Sequence, residues 1–209
     1  MNLKVLQIII MLVIAYLLGS IPSGVWIGKI FFHTDIRKHG SGNIGTTNTY
    51  RVLGPIAGTI VMILDISKGV IATLLPTFFN NWTLNPLIFG LMAILGHTFS
   101  IFDHFKGGKA VATSAGMLLA YNPVLFLIAA GLWITFILLT SMVSLASILA
   151  FIIITIIIIF THDLLLSILA IILTVFIIYR HSKNIVRILN GSENMVPFGI
   201  GNYIRKQNK

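Results

Sequence analysis

Uncharged apolar runs follow one another along this chain, and nearly all of its charge is confined to the short gaps between them. A helix needs about 20 residues to cover roughly 30 Å of hydrocarbon. The runs that reach or approach that length are Leu6 to Ile27, Pro55 to Phe79, Pro86 to Phe102, Val111 to Tyr121, Pro123 to Leu139, Val143 to Phe160 and Leu164 to Tyr179. The fourth is too short to cross alone, but a helix there is bounded by a Lys-Gly-Gly-Lys loop before it and by Asn122-Pro123 after it. Composition agrees: with 57% hydrophobic and 9% charged residues and a mean hydropathy of +1.00, there is too little polar surface to cover a soluble domain. The expected fold class is an all-α integral membrane protein, a polytopic bundle of seven transmembrane helices. The run Val5 to Leu18 imitates a signal peptide, yet no A-x-A-like cleavage site follows, so it reads as a retained first span.

Charge asymmetry orients such a bundle. With seven spans, the loops Asn80 to Asn85, Asn122 to Pro123 and Thr161 to Asp163 share one face and contain no Lys or Arg. Every Lys and Arg except Lys4 and Lys68 lies on the other face, which the positive-inside rule makes cytoplasmic. The amino terminus is then expected outside and the carboxy terminus in the cytoplasm. The absence of cysteine excludes a disulfide framework, a thiolate metal site and a cysteine nucleophile.

Four polar islands interrupt the hydrocarbon: Gly40 to Arg51, Phe105 to Thr113, Ser144 to Ser147 and Arg180 to Arg187. The parity of the spans places all four at the same membrane surface, where they are expected to form one site. In Gly40-Ser41-Gly42-Asn43-Ile44-Gly45 the glycines allow positive φ, so successive amides could converge on an oxyanion, with Thr46 or Thr47 capping the next helix. Arg51 follows within about two turns of that helix start, close enough to clamp a phosphate. Lys106-Gly107-Gly108-Lys109 repeats the device, offering backbone donors, two ammonium groups and a helix N-terminus. It is not a Walker A loop, because Asp103 and Ala110 stand where Gly and Ser or Thr would be required. Ser144 and Ser147 share a helical face, for which capping is the ordinary reading, and His181 and Asn184 have the same spacing beside Arg180, Lys183 and Arg187. Asp65 and Lys68 in the second run are expected to form an internal ion pair that fixes helix packing. His97 and Asp103 are one residue too far apart for an H-x-x-x-x-D acyltransferase motif, and no histidine has metal-ligand spacing with a carboxylate, so no metal is expected.

The stretches SGNIGTTNTYR, GHTFSIFDHFKGGKAVAT (Gly96 to Thr113) and IIYRHSKNIVRILNGSE (Ile177 to Glu193) resemble, in order and spacing, the three signature motifs of the bacterial membrane acyl-phosphate:glycerol-3-phosphate acyltransferase family, PlsY. Val143 to Ser147 is similar to that family's segment before its sixth helix. Thr46 and Ser100 depart from the residues common there, Ala and Pro, without removing a candidate ligand. The likeness covers Ile14 to Glu193, so residues 1–193 are expected to be the acyltransferase domain and 194–209, with Arg205, Lys206 and Lys209, a basic cytoplasmic tail.

The resemblance implies transfer of a fatty acyl group from acyl phosphate to the sn-1 hydroxyl of glycerol 3-phosphate, giving lysophosphatidic acid and inorganic phosphate as the first step of phospholipid biosynthesis. It implies a bacterial inner-membrane enzyme whose site faces the cytoplasm among membrane lipids, with no cofactor, coenzyme A, acyl carrier protein or nucleic acid. On this reading Ser41, Arg51, Lys106 or Lys109, and Ser147 hold the phosphate of glycerol 3-phosphate. His181 and Asn184, with the backbone of Gly42, Asn43 and Gly45, orient the acyl phosphate and stabilise the oxyanion. Gly107 and Gly108 serve phosphate binding, and Glu193, like Asp65 and Lys68, serves structure. The rival reading, a transporter for a phosphorylated metabolite, would call for repeat symmetry and polar groups reachable from both sides.

Overall fold

The computed structural model describes residues 3–207, which leaves Lys209 of the basic tail outside the described residues. Among the described residues the chain is helices and turns without a strand, divided into two compact units, Met1–Pro123 and Val124–Lys209. The first unit holds α1 (Leu3–Ser20), α2 (Ser23–Phe32), α3 (Thr46–Leu53), α4 (Pro55–Thr73), α5 (Leu75–Phe78), α6 (Pro86–Thr98) and α7 (Val111–Tyr121). Local chemistry sets several of these boundaries. Asn85 caps α6 by accepting from the Leu87 amide at 2.9 Å, and Pro86 occupies the first turn, where its missing N–H is not needed.

Two helix pairs dominate this unit, α1 with α6 and α4 with α7, and small residues bring each pair together. Gly19 of α1 lies against the Ala93 carbonyl of α6, and Gly96 of α6 lies against the Tyr16 carbonyl of α1. The other pair repeats the arrangement, with Gly69 against the Thr113 carbonyl and Gly116 against the Ile66 carbonyl. A side chain at any of these four positions would overlap the facing backbone. Met11, Ala15, Ala72, Leu75, Phe89 and Ala93 fill the core where α1, α4 and α6 meet.

The expected first span, Leu6 to Ile27, is not continuous. Pro22 cannot donate and its ring excludes the carbonyl of the preceding turn, so α1 stops at Ser20 and α2 starts at Ser23. Carbonyls at the break receive side-chain donors from elsewhere, the Ile21 carbonyl in addition to the Ser23 amide at 3.0 Å. The Ser100 hydroxyl donates to the Ser20 carbonyl, and Lys68 Nζ donates to the Ile21 carbonyl at 2.5 Å. Lys68 Nζ also donates to Asp65 Oδ1 at 2.6 Å, and both residues are buried. The internal ion pair is therefore present, and it fixes packing by capping a broken helix. The second run is interrupted as well, at Leu74, because Pro76 belongs to the separate turn of α5.

The second unit contains α8, which opens at Pro123 (Pro123–Thr140), then α9 (Val143–Ile159), α10 (Leu164–Arg180), α11 (Ser182–Leu189) and α12 (Ile200–Gln207). Asp163 caps α10 by accepting from the Leu166 amide at 3.0 Å. Inside the α9–α10 pair the Thr155 and Thr174 hydroxyls lie 2.7 Å apart, each polar atom relieving the other in an apolar setting. The helices α10 and α11 are bent by 59° at His181.

Among the described residues four segments are long and apolar enough to cross a membrane: Leu3–Ser20, Pro55–Thr73, Pro86–Asp103 and Pro123–Thr140. The bent pair α10 and α11 makes a fifth, while α2, α7 and α9 are apolar but shorter. The architecture is that of a helical membrane protein. Substituting Gly69→Val or Gly116→Val should destabilise it by about 1–3 kcal/mol through overpacking and lower its thermal unfolding midpoint in detergent. Gly131→Val in α8, where an added Cβ meets nothing within 4 Å, should leave that midpoint in place.

Candidate active site

The glycine-rich loop of the first unit is organised by Asn48, a buried residue in the first turn of α3. Its Oδ1 accepts from the Ser41 amide at 2.8 Å, and its Nδ2 donates to the carbonyls of Ile36 at 3.0 Å and His39 at 3.1 Å. Gly40 has a φ of +60°, and a Cβ there would run into the Asn48 carboxamide, so only glycine fits.

The amides of this loop find partners within the protein. The Gly42 amide donates to the His39 carbonyl at 3.0 Å, and the Gly45 amide donates to Asn43 Oδ1 at 2.9 Å. With the Ser41 amide on Asn48, these N–H groups close the loop on itself. Neither Thr46 nor Thr47 caps α3: the cap is Gly45 without a side-chain bond, Thr46 begins the helix, and its hydroxyl is buried without a partner. Side chains are what the loop presents, with Ser41 and Arg51 both exposed and Arg51 in the last turn of α3.

The Lys-Gly-Gly-Lys loop rests on the end of α6. The Gly108 amide donates to the His97 carbonyl at 3.0 Å, so it too is engaged within the protein. A Cβ on Gly108 would strike the His97 ring, and one on Gly107 would strike the His97 and Thr98 carbonyls. His97 Nδ1 in turn lies 3.9 Å from Asp65 Oδ1, which connects this loop to the buried pair with Lys68. Lys106 is exposed, Lys109 is half-buried, and α7 begins only at Val111, after Ala110 in a left-handed conformation.

The first two islands meet within this unit. A recess of about 340 Å³ is walled by Gly42, Asn43 and Ile44 from one loop, Asp103, His104, Lys106 and Gly107 from the other, and Arg37. Ser41, Gly45, Arg51, Gly108 and Lys109 are not part of that wall. Arg37 ties the two loops together. It donates to Asp35 through Nε at 2.8 Å and Nη2 at 2.5 Å, and through Nη1 to Asp103. The hydrogen bond from Arg37 holds the Asp35 carboxyl well below the usual carboxylate range, and Asp35 raises Arg37 in return. Neither Arg37 nor Asn48 is singled out by sequence, since a lone Arg in a basic loop and an Asn after two threonines have nothing distinctive. The only available signal was their proximity to the Gly40–Gly45 run.

In the second unit a single carboxylate gathers the polar side chains. Glu193, buried after α11, accepts on Oε1 from Ser144 Oγ at 2.8 Å and Asn184 Nδ2 at 2.7 Å, and on Oε2 from Arg187 Nε at 2.7 Å. Ser144 is thus a ligand of Glu193 and not a helix cap, for Met142 occupies the cap of α9. His181 is buried at the bend, and its Nδ1 lies 2.8 Å from the Ile177 carbonyl. A carbonyl oxygen only accepts, so Nδ1 carries a proton in this contact. Ser147, three residues beyond Ser144 along α9, donates its hydroxyl to the Val143 carbonyl at 2.8 Å and accepts from Trp133 Nε1 at 3.0 Å.

These loops belong to a helical membrane protein whose polar segments lie between apolar helices. The family model described as "Glycerol-3-phosphate acyltransferase" matches residues 9–191. A glycerol-3-phosphate acyltransferase of Levilactobacillus brevis is 64% identical over 98% of this chain and 100% of its own length. That of Lactiplantibacillus plantarum is 64% identical over 94% of this chain and 95% of its own. The crystal structure of PlsY, an integral membrane glycerol 3-phosphate acyltransferase, in its glycerol 3-phosphate form is similar at a TM-score of 0.83 and 38% identity, covering 90% of this chain and 94% of that one. Its lysophosphatidic acid form gives a TM-score of 0.79 at 37% identity over the same shares. The chain belongs to the glycerol-3-phosphate acyltransferase family.

The Glu193 cluster has a pH signature. Burial raises its carboxyl, but hydrogen bonds from Asn184, Ser144 and Arg187 outweigh burial and hold it below its ordinary value. A depressed carboxylate stabilises the fold fully above its unfolded pKa, and that contribution is lost as pH falls through the lower folded value. Thermal midpoints measured in detergent should therefore drop on acidification below about pH 4. Glu193→Gln sets an amide N–H against existing donors, so it should lose about 1–3 kcal/mol at neutral pH and flatten this acid dependence.

Proposed function

We propose that this chain transfers a fatty acyl group from acyl phosphate to the sn-1 hydroxyl of glycerol 3-phosphate, releasing inorganic phosphate and lysophosphatidic acid. The reading is carried by the recess in which Gly42, Asn43, Lys106 and Gly107 meet, because it joins two motifs of the acyltransferase family. The glycerol 3-phosphate and lysophosphatidic acid forms of the PlsY structure support a substrate and a product of this kind. Neither coenzyme A, acyl carrier protein nor a metal is required, since acyl phosphate is a mixed anhydride with a good leaving group. Seven spans with the amino terminus outside, residues 1–193 as the catalytic domain and an active site facing the cytoplasm at the inner membrane complete the proposal, supported by the one-sided distribution of Lys and Arg.

Ser41, Arg51, Lys106 or Lys109, and Ser147 hold the phosphate of glycerol 3-phosphate through side chains. His181 and Asn184 act at the acyl phosphate, with Glu193 as the positioning residue for Asn184 and Arg187. The hydroxyl oxygen attacks the acyl carbon, the bond from that carbon to the phosphate oxygen breaks, and the phosphate leaves with the bonding pair. The hydroxyl proton goes to His181 Nε2 or to an oxygen of the departing phosphate. Because two anions must approach one another, positioning and charge neutralisation are the main contributions to rate.

Removing one such donor should cost on the order of 100- to 1000-fold in rate. Arg51→Ala and Lys109→Ala are therefore expected to be severely impaired in liposomes supplied with acyl phosphate, and near-normal turnover in both would refute the assignment. His181→Gln separates the proton routes: a loss of that same order identifies the imidazole as base, whereas retention of most activity assigns the proton to the phosphate.

A further inference from the structure

Residues 192–207 lie beyond the region matched by the family model, and they are folded back onto the second unit. The Ser141 hydroxyl, in the turn between α8 and α9, donates to the Phe198 carbonyl at 2.7 Å and accepts from the Asn202 amide at 2.9 Å. The Val196 amide donates to the Ser141 carbonyl at 2.8 Å. Gly199 and Gly201 allow this approach, for a Cβ on either would press on the carbonyls of Leu138 or Thr140. The orientation of α12 is thereby set.

That helix has two chemically distinct faces. Ile200, Tyr203 and Ile204 recur at helical spacing on one side and, with neighbouring Phe198, are each more than half exposed. Asn202, Arg205 and Lys206 recur on the other side. With Ser192, Glu193 and Asn194 they wall a recess of about 320 Å³. At eight residues α12 spans only about 12 Å, so it cannot cross a bilayer. An amphipathic helix of this composition lies in the plane of the membrane interface, with its apolar side in the acyl boundary.

We infer that the recess between Ser192–Asn194 and α12 is a seat for the phosphate head group of an anionic phospholipid of the surrounding membrane. The charge balance favours an anion. Glu193 already has Arg187, Ser144 and Asn184 on its carboxylate, which leaves Arg205 and Lys206 as the excess charge of the wall. Arg205 Nη1 donates to the Glu193 backbone carbonyl at 3.3 Å, one of five N–H donors that a guanidinium carries. The exposed apolar side of α12 selects a lipid over a free anion, because only a lipid contributes hydrocarbon beside its phosphate. Through Arg205 an occupied seat also steadies the segment that positions Asn184 and Arg187.

The test is equilibrium binding to full-length, delipidated protein in neutral detergent, with short-chain phosphatidylglycerol, short-chain phosphatidylcholine and inorganic phosphate as separate probes. Since the readout is binding, it is independent of the acyl-transfer proposal. Phosphatidylglycerol should bind at least tenfold more tightly than either other probe. The double substitution Arg205→Gln, Lys206→Gln should weaken it roughly 10- to 30-fold, and Arg205→Lys should restore most of the loss. If the double variant fails to fold, Lys206→Gln alone, which keeps the bond to the Glu193 carbonyl, should weaken binding roughly fivefold. Equal binding of the two lipids, an unchanged preference in the variants, or inorganic phosphate binding as tightly as phosphatidylglycerol would each overturn the inference.

Discussion

The Lys68 ammonium, shared between the Asp65 carboxylate and the Ile21 carbonyl, expresses the constraint on which the first unit depends. In hydrocarbon a helix can be interrupted only where its stranded backbone groups find partners inside the protein. Pro22 forces an interruption, and Lys68 and Ser100 answer it from α4 and from the turn after α6. The costly burial of an acid and a base is offset by their mutual pairing and by the backbone oxygen they satisfy. Gly69 and Gly116, lying where α4 and α7 touch, set the position of the helix that carries this pair.

The same constraint brings chemistry to the loops. His97 stands between the Asp65 pair and the Lys-Gly-Gly-Lys loop, so the position of that loop follows from a buried electrostatic arrangement as well as from its glycines. In the second unit Glu193 plays the corresponding part, collecting Ser144, Asn184 and Arg187 from segments that are far apart in the chain. A buried carboxylate with three donors holds those side chains in fixed positions.

Much of this was legible before any coordinates. Long apolar runs and sparse charge specified helices in a membrane, and the three motifs identified the family. The Asp65–Lys68 pair was legible from its spacing, because two charges in an apolar run have few alternatives to each other. Where reading failed, the cause was competition for hydrogen bonds. Thr46 and Thr47 have the hydroxyls of a helix cap, yet Gly45 takes that position; Ser144 has one as well, yet its proton goes to Glu193. Residue type reports which bonds are possible, whereas the neighbours decide which are made.

What the sequence by itself determined is the set of properties that are local or additive: hydrophobicity, helical periodicity, loop flexibility and the identity of the chemical groups. Those follow from each residue and its near neighbours along the chain. Only the tertiary structure decided that Asn48 would wire the first loop, that Arg37 would tie it to Asp103, and that Glu193 would hold both Ser144 and Asn184. These partners are up to 66 residues apart, and a hydrogen bond depends on positions within a few tenths of an ångström that linear order does not encode.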